Sequence, residues 1–164
     1  MKKIKFTLAL MLLIATATFA QKSPRAEATG QVGETTVTVD YGAPSVRDRV
    51  IWGDLVPYNK VWRAGANENT TISFAKDMIV KGKKVPAGKY GLFIIPAEGE
   101  EWTVVLSNKN DAWGSNGYSQ ENDLVRFKVK TKKADKNREQ LTFLVFKGGV
   151  QFNWEKVRFF IPMK

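Results

Sequence analysis

Residues 34–41, Glu34-Thr35-Thr36-Val37-Thr38-Val39-Asp40-Tyr41, set the fold class. Val37, Val39 and Tyr41 alternate with Thr36, Thr38 and Asp40. A period of two places the apolar set on one face of an extended strand, with the polar set facing water. The same alternation recurs in Thr70-Ile72-Phe74, Tyr90-Leu92-Ile94, Trp102-Val104-Leu106 and Val125-Phe127-Val129, then in Leu141-Phe143-Val145 and a long last stretch from Val150 to Ile161. Residues 90–95 and 141–146 are apolar at consecutive positions, which predicts central strands covered on both faces.

Turn residues separate these runs at Lys81-Gly82-Lys83, Pro86-Ala87-Gly88, Pro96-Ala97-Glu98-Gly99 and Gly148-Gly149. About nine short strands result, and no stretch carries a sustained helical period. Residues 44–59 have room for one short helical turn between Pro44 and Pro57. The basic run 130–138 reads as a solvated hairpin loop, and Val61-Trp62-Arg63 as the end of a strand. Strands with one apolar face must bury it against another sheet, so the expected architecture is an all-β, antiparallel β-sandwich in a single domain, with a closed β-barrel as the alternative.

The N-terminus has a different logic. Lys2, Lys3 and Lys5 precede an apolar run from Phe6 to Phe19, and Thr18 and Ala20 are the small residues of a cleavage site. This is the layout of a secretory signal peptide over residues 1–20, cut before Gln21, and it leaves no stable membrane span in the mature chain. Residues 21–33, with Pro24, Gly30 and Gly33, read as a flexible leader into a domain over 34–164. The expected location is periplasmic or secreted. Loss of Lys2, Lys3 and Lys5 takes three from 26 basic residues against 16 acidic ones, so the net charge falls from +10 to +7. Such an excess suits anionic glycans, lipid head groups or acidic proteins, with plain solubility as the simpler and preferred reading, and an exported chain has little access to nucleic acid.

Composition removes several chemistries. The chain has no histidine and no cysteine. A Ser-His-Asp triad, an imidazole metal site, a thiolate nucleophile and a cysteine-bound cluster are all excluded. No cofactor motif is present, and catalysis would rest on carboxylate, lysine, tyrosine, serine or an oxygen-bound metal.

Two connections carry the densest polar and aromatic content. In Trp62-Arg63-Ala64-Gly65-Ala66-Asn67-Glu68-Asn69, alternation points Trp62 and Arg63 to opposite faces. The planar guanidinium of Arg63 suits carboxylate or sugar hydroxyl recognition, with Asn67 and Glu68 supplying further donors and acceptors. The plain structural reading is that Arg63 pairs with Glu68 or Asp54 to tie down a long connection. In Asp111-Ala112-Trp113-Gly114-Ser115-Asn116-Gly117-Tyr118, Trp113 and Tyr118 stand among short polar residues, a composition suited to stacking on a sugar ring. The alternative there is that Trp113 folds back onto the core. The oxygen ligands Asp111, Asn116, Glu121 and Asp123 match no calcium-loop spacing, so no metal is expected. Tyr41, at the mouth of the 41–68 segment, completes the ligand-binding set Tyr41, Arg63, Asn67, Glu68, Trp113 and Tyr118. The sequon Asn69-Thr70-Thr71 would matter only in a glycosylating host.

Five stretches together resemble one family: YGAPSVRDRVIWGDLVPYNKVWRAGANENTTISF (41–74), VPAGKYGLFIIP (85–96), EWTVVLSN (101–108), DAWGSNGY (111–118) and NWEKVRFFIP (153–162). They are similar to the bacterial domain family DUF2911, and the run KVWRAGANE (60–68) is unusual in composition. The resemblance implies an exported β protein and no particular activity. This chain has Ala43 and Ala64 where the family usually has arginine and threonine, and Asn116 and Ser119 where an aromatic and an acid are frequent.

Polar and aromatic groups gathered in connections on a rigid scaffold point to a non-enzymatic binding module for a glycan, small molecule or envelope protein. The rival is a hydrolase using carboxylate, tyrosine and arginine groups in the same cleft.

Overall fold

The computed structural model describes residues 22–164, so the expected signal peptide lies outside the described residues. The described residues form ten strands: β1 (Arg25–Val32), β2 (Thr35–Gly42), β3 (Thr71–Phe74), β4 (Met78–Val80), β5 (Lys83–Val85), β6 (Gly88–Ile95), β7 (Glu101–Ser107), β8 (Asp123–Lys130), β9 (Lys132–Phe146) and β10 (Gly149–Pro162). Among the described residues there is no α-helix, only a single 3-10 turn at Gln120–Asn122. No described helix is long and apolar enough to cross a membrane.

Strands β1-β2-β3-β6-β7-β8 form an antiparallel six-stranded sheet, and β9 and β10 form a long antiparallel ribbon. Leu141 and Val46 donate backbone bonds to Pro44 and Glu139, joining residues 44–46 to one edge of the ribbon. Ile79 and Lys164 exchange bonds, joining the β4–β5 hairpin to the other edge. The result is a sandwich. The sheet does not close into a barrel, because β1 and β8 remain edge strands.

Alternation dictates which residues meet between the layers. Val37, Val39 and Tyr41 from β2, Leu92 and Ile94 from β6, and Trp102, Val104 and Leu106 from β7 face Phe143, Phe152, Trp154, Phe159 and Ile161 from the ribbon. Aromatic pairs hold the layers together: Tyr41 meets Phe143 edge-on at 4.9 Å, Trp62 stacks on Trp154 at 5.6 Å, and Trp102 meets Phe159 at 6.3 Å. Such pairs add roughly 0.5–1.5 kcal/mol each beyond their burial. The β4–β5 hairpin turns through Lys81 (φ 49°) and Gly82 (φ 80°), two positive-φ residues whose twist matches that of paired strands.

Several expectations need correction. Residues 25–32 are a strand paired along all of β2, not a flexible leader. Their inward side chains are Ala26, Ala28 and Gly30, small enough to admit Val145 of β9, with a Cβ placed on Gly30 reaching only 3.0 Å from it. The basic run 130–138 is not a loop: Thr131 alone separates β8 from β9, Lys130 ends β8, and Lys132, Lys133 and Lys136 are exposed positions of β9. Residues 141–146 bury only one face, since no third layer covers the ribbon. Residues 44–59 form turns without a helix, and Trp62 makes only an isolated bridge to Ile94.

Candidate functional site

On the outer face of the six-stranded sheet, odd-numbered residues of β6 replace the even-numbered core set. Phe93 is fully buried there although it is not part of the inter-sheet core. The segment joining β7 to β8 covers it. Tyr118 meets Phe93 edge-on at 5.1 Å, and its hydroxyl donates to Asp123 Oδ2 at 3.0 Å while accepting from Arg126 Nη2 at 2.6 Å. Burial and the Asp123 carboxylate raise the Tyr118 pKa above its ordinary value. Tyr118 is therefore a latch that fastens the loop to the sheet.

The same loop passes close over Gly91. A Cβ there would lie 2.4 Å from the Lys109 carbonyl and 3.1 Å from Asn69 Nδ2, so only glycine allows the approach. Asn110 Nδ2 donates to the Lys89 carbonyl at 2.7 Å and Lys109 N–H to Ser107 Oγ at 3.2 Å, pinning the start of the loop.

From the other side comes the 62–69 turn. Ala64 (φ 52°) and Asn67 (φ 63°) have left-handed backbones, and the turn is anchored by Ala66 N–H to the Gly42 carbonyl, Trp62 Nε1 to the Gly65 carbonyl and Asn67 Nδ2 to the Ser23 carbonyl. Glu68 and Trp113 then pair through their backbones in an isolated antiparallel bridge. The two connections thus meet edge to edge.

Between them is a cleft of about 230 Å³ lined by Arg25, Glu68, Asn69, Asp111 and Trp113, among others. Asn69 forms part of its wall. This residue is 4% exposed, and among the described residues neither its Nδ2 nor its Oδ1 has a hydrogen-bond partner. Its backbone carbonyl is held by Arg25 Nη2 at 3.0 Å, while Arg25 Nε bonds Asp40 at 2.6 Å. Trp113 is 61% exposed, with the Lys22 ammonium 5.8 Å from its ring centroid. Lys22 also pairs with Glu68 at 3.2 Å, and Lys109 pairs with Asp111 at 2.8 Å. Glu68 is held below the ordinary carboxylate range by its own backbone N–H and by Lys22, and Asp111 by Lys109. Among the described residues no three metal-ligating side chains converge.

The structure brings Glu68 and Trp113 together, with Arg63 beneath Gly114, and separates the others from them. Arg63 is half-buried, its pKa lowered by desolvation, and its Nε is buried without a partner. A Cβ on Gly114 would lie 3.4 Å from Arg63 Nη1, so the 111–118 loop packs on the guanidinium. The expected pairing of Arg63 with Glu68 or Asp54 is absent, since Glu68 turns to Lys22. Asn67 faces Ser23. Tyr41 is in the inter-sheet core, where its hydroxyl accepts from the Phe143 N–H at 3.2 Å.

The family model described as a protein of unknown function, DUF2911, matches residues 23–163. The chain belongs to this family. No curated protein and no solved structure matches it. In this DUF2911 chain the KVWRAGANE and DAWGSNGY runs border one cleft, joined at Glu68 and Trp113. The residue that sequence reasoning missed is Asn69. A carboxamide one step before the Thr70-Ile72-Phe74 alternation falls on the outer face, and that parity was its signal.

Proposed function

We propose that the protein is an exported, non-enzymatic binding module that takes a neutral polyhydroxylated ligand, a sugar ring or the end of a glycan chain, in the cleft between the 62–69 turn and the 109–118 loop. The observation that carries this reading is Asn69, a residue lining the cleft whose buried carboxamide has neither its donor nor its acceptor paired among the described residues, beside an exposed tryptophan on the rim. A buried amide without partners costs free energy, and a hydroxyl that both accepts and donates would recover it. A tryptophan face suits the C–H face of a sugar ring.

Charge and size support a neutral occupant. Arg25, Glu68 and Asp111 already have opposite charges beside them, which leaves Lys89 as the one lining charge without an ion pair among the described residues. Its 230 Å³ lies below the range of roughly 300–1,000 Å³ for drug-sized ligands, which limits the occupant to about one ring.

The rival hydrolase finds less support. A glycosidase general acid needs a raised pKa, whereas Glu68 and Asp111 are both lowered and face solvent.

Thermal unfolding and calorimetry with a panel of neutral, amino and acidic saccharides test the reading. A sugar at a hundred times its dissociation constant should add about 2.7 kcal/mol, a rise of several degrees. Binding should vanish in Asn69→Ala and Trp113→Ala while both remain folded. No binding by any saccharide, or binding indifferent to both substitutions, would overturn it.

A further inference from the structure

Elsewhere, six cations without ion pairs among the described residues gather in one place. A groove of about 810 Å³ opens where β8 and the β9–β10 ribbon part, at the far end of β7 and β8 from the candidate cleft. Ser107 and Asp123 pair beside the cleft loop, and Glu101 and Lys130 pair beside the groove. The ribbon is bent here by two register shifts around Glu155, which itself has φ 52°. Lys81, Lys128, Lys130, Lys132, Lys133 and Arg158 line the groove. They come from four places in the fold: the β4–β5 turn, β8, β9 and β10. None of the six is in an ion pair among the described residues, and only Glu101 and Asp135 oppose them along the wall. Arg158 Nε is buried without a hydrogen-bond partner, and its Nη2 reaches only the Lys136 carbonyl at 3.4 Å.

Lysines on an edge strand are a common guard against edge-to-edge pairing, and β8 is an edge strand. That accounts for Lys128 and Lys130. The same guard extends to Lys132 and Lys133 of the two-stranded ribbon, yet it gives no reason for Lys81 and Arg158 to converge with them on the same hollow. Like charges that share one hollow repel one another, and an anion would relieve that repulsion. The lining is not wholly polar: Phe160 is 40% exposed beside the buried Phe159. The volume falls within the range of small-molecule sites.

We infer that this groove is a second binding site, for a soluble polyanion bearing several phosphate or sulfate groups on a compact ring, the charged groups meeting the six cations and the ring lying against Phe160. Its cluster of cations and its larger volume set it apart from the cleft at the other end of the sheet.

Calorimetry with sucrose octasulfate and inositol hexakisphosphate, at low and at physiological salt, tests the assignment. The expected result is one-to-one binding that weakens as salt rises. Lys130→Gln with Lys133→Gln, both exposed and so compatible with folding, should lower affinity by roughly tenfold or more, the scale of one lost charge-assisted bond. Arg158→Gln should do the same. Lys60→Gln with Lys147→Gln removes the same charge outside the groove and should change affinity less than about twofold, as expected of screened surface charges. Equal loss in both pairs would reduce the effect to net charge and overturn the site. No binding of either probe at low salt would overturn it as well. Sedimentation with phosphatidylglycerol-containing vesicles, without binding of the soluble probes, would replace it with a membrane-facing surface.

Discussion

Glu68 and Trp113 pair through their backbones, an isolated bridge between a turn that precedes β3 and a loop that follows β7. Because main-chain groups make the bridge, either side chain can change while the bridge stays. Trp113 is 61% exposed, so Trp113→Ala should alter stability by no more than about 0.5 kcal/mol, the usual range for surface positions. The same change should abolish saccharide binding. Paired thermal and calorimetric titrations would show the split; a large loss of stability would mean that the indole supports the loop rather than presenting a face.

Asn69 makes the opposite trade. Its amide is buried without a partner, a state that costs roughly 1–3 kcal/mol for such a group. Asn69→Ala should therefore leave the free protein as stable as the parent or more so, while removing binding at the cleft. Denaturant unfolding measures the first part. Destabilisation beyond about 1 kcal/mol would assign the amide a structural partner and remove it as a recognition group.

Gly91 is where the loop and sheet come closest. A Cβ at 2.4 Å from the Lys109 carbonyl cannot be accommodated without moving backbone. Gly91→Ala should cost roughly 1–3 kcal/mol, as overpacked sites do, and loosen the loop. Hydrogen exchange should show faster opening at Lys109 and Asn110 with the inter-sheet core unchanged. Unaltered exchange there would mean that the loop is held by Tyr118 and Asp123 alone.

The fold was legible where side chains report their own environment. The alternation of Val37, Val39 and Tyr41 identified a strand because its buried face is large and apolar. Strand β1 escaped notice because its inward residues are Ala26, Ala28 and Gly30, whose burial depends on the breadth of Val145 across the sandwich. The lysines of β9 read as a loop because pairing with β10, not hydrophobicity, holds them extended. For the site, the two connections stood out by composition, yet no local signal reports that Glu68 and Trp113 pair across 45 residues or that Asn69 is buried beside Gly91. Tyr41 shows the converse: its phenol resembles a ligand group in sequence, while its strand parity sends it into the core.

That placement of Tyr41 has a consequence at alkaline pH. Burial raises its pKa above 10.0, an effect larger than the opposing hydrogen bond from the Phe143 N–H. Above pH 10 the unfolded chain releases this proton while the folded chain keeps it, so the folded state binds more protons and stability falls as pH rises. The contribution is fully present below the unfolded pKa and disappears as pH climbs through the folded value. Tyr90 and Tyr118 are raised as well and act in the same direction. Tyr41→Phe should therefore do two things. At neutral pH it leaves the buried Phe143 N–H without its acceptor, a loss of roughly 1–3 kcal/mol. Between pH 10 and the folded pKa its stability should decline less steeply than the parent's, so that the two unfolding curves converge. Urea midpoints measured from neutral pH upward would reveal this convergence, and a constant gap across the range would show that the phenol is not protected from ionisation by the core.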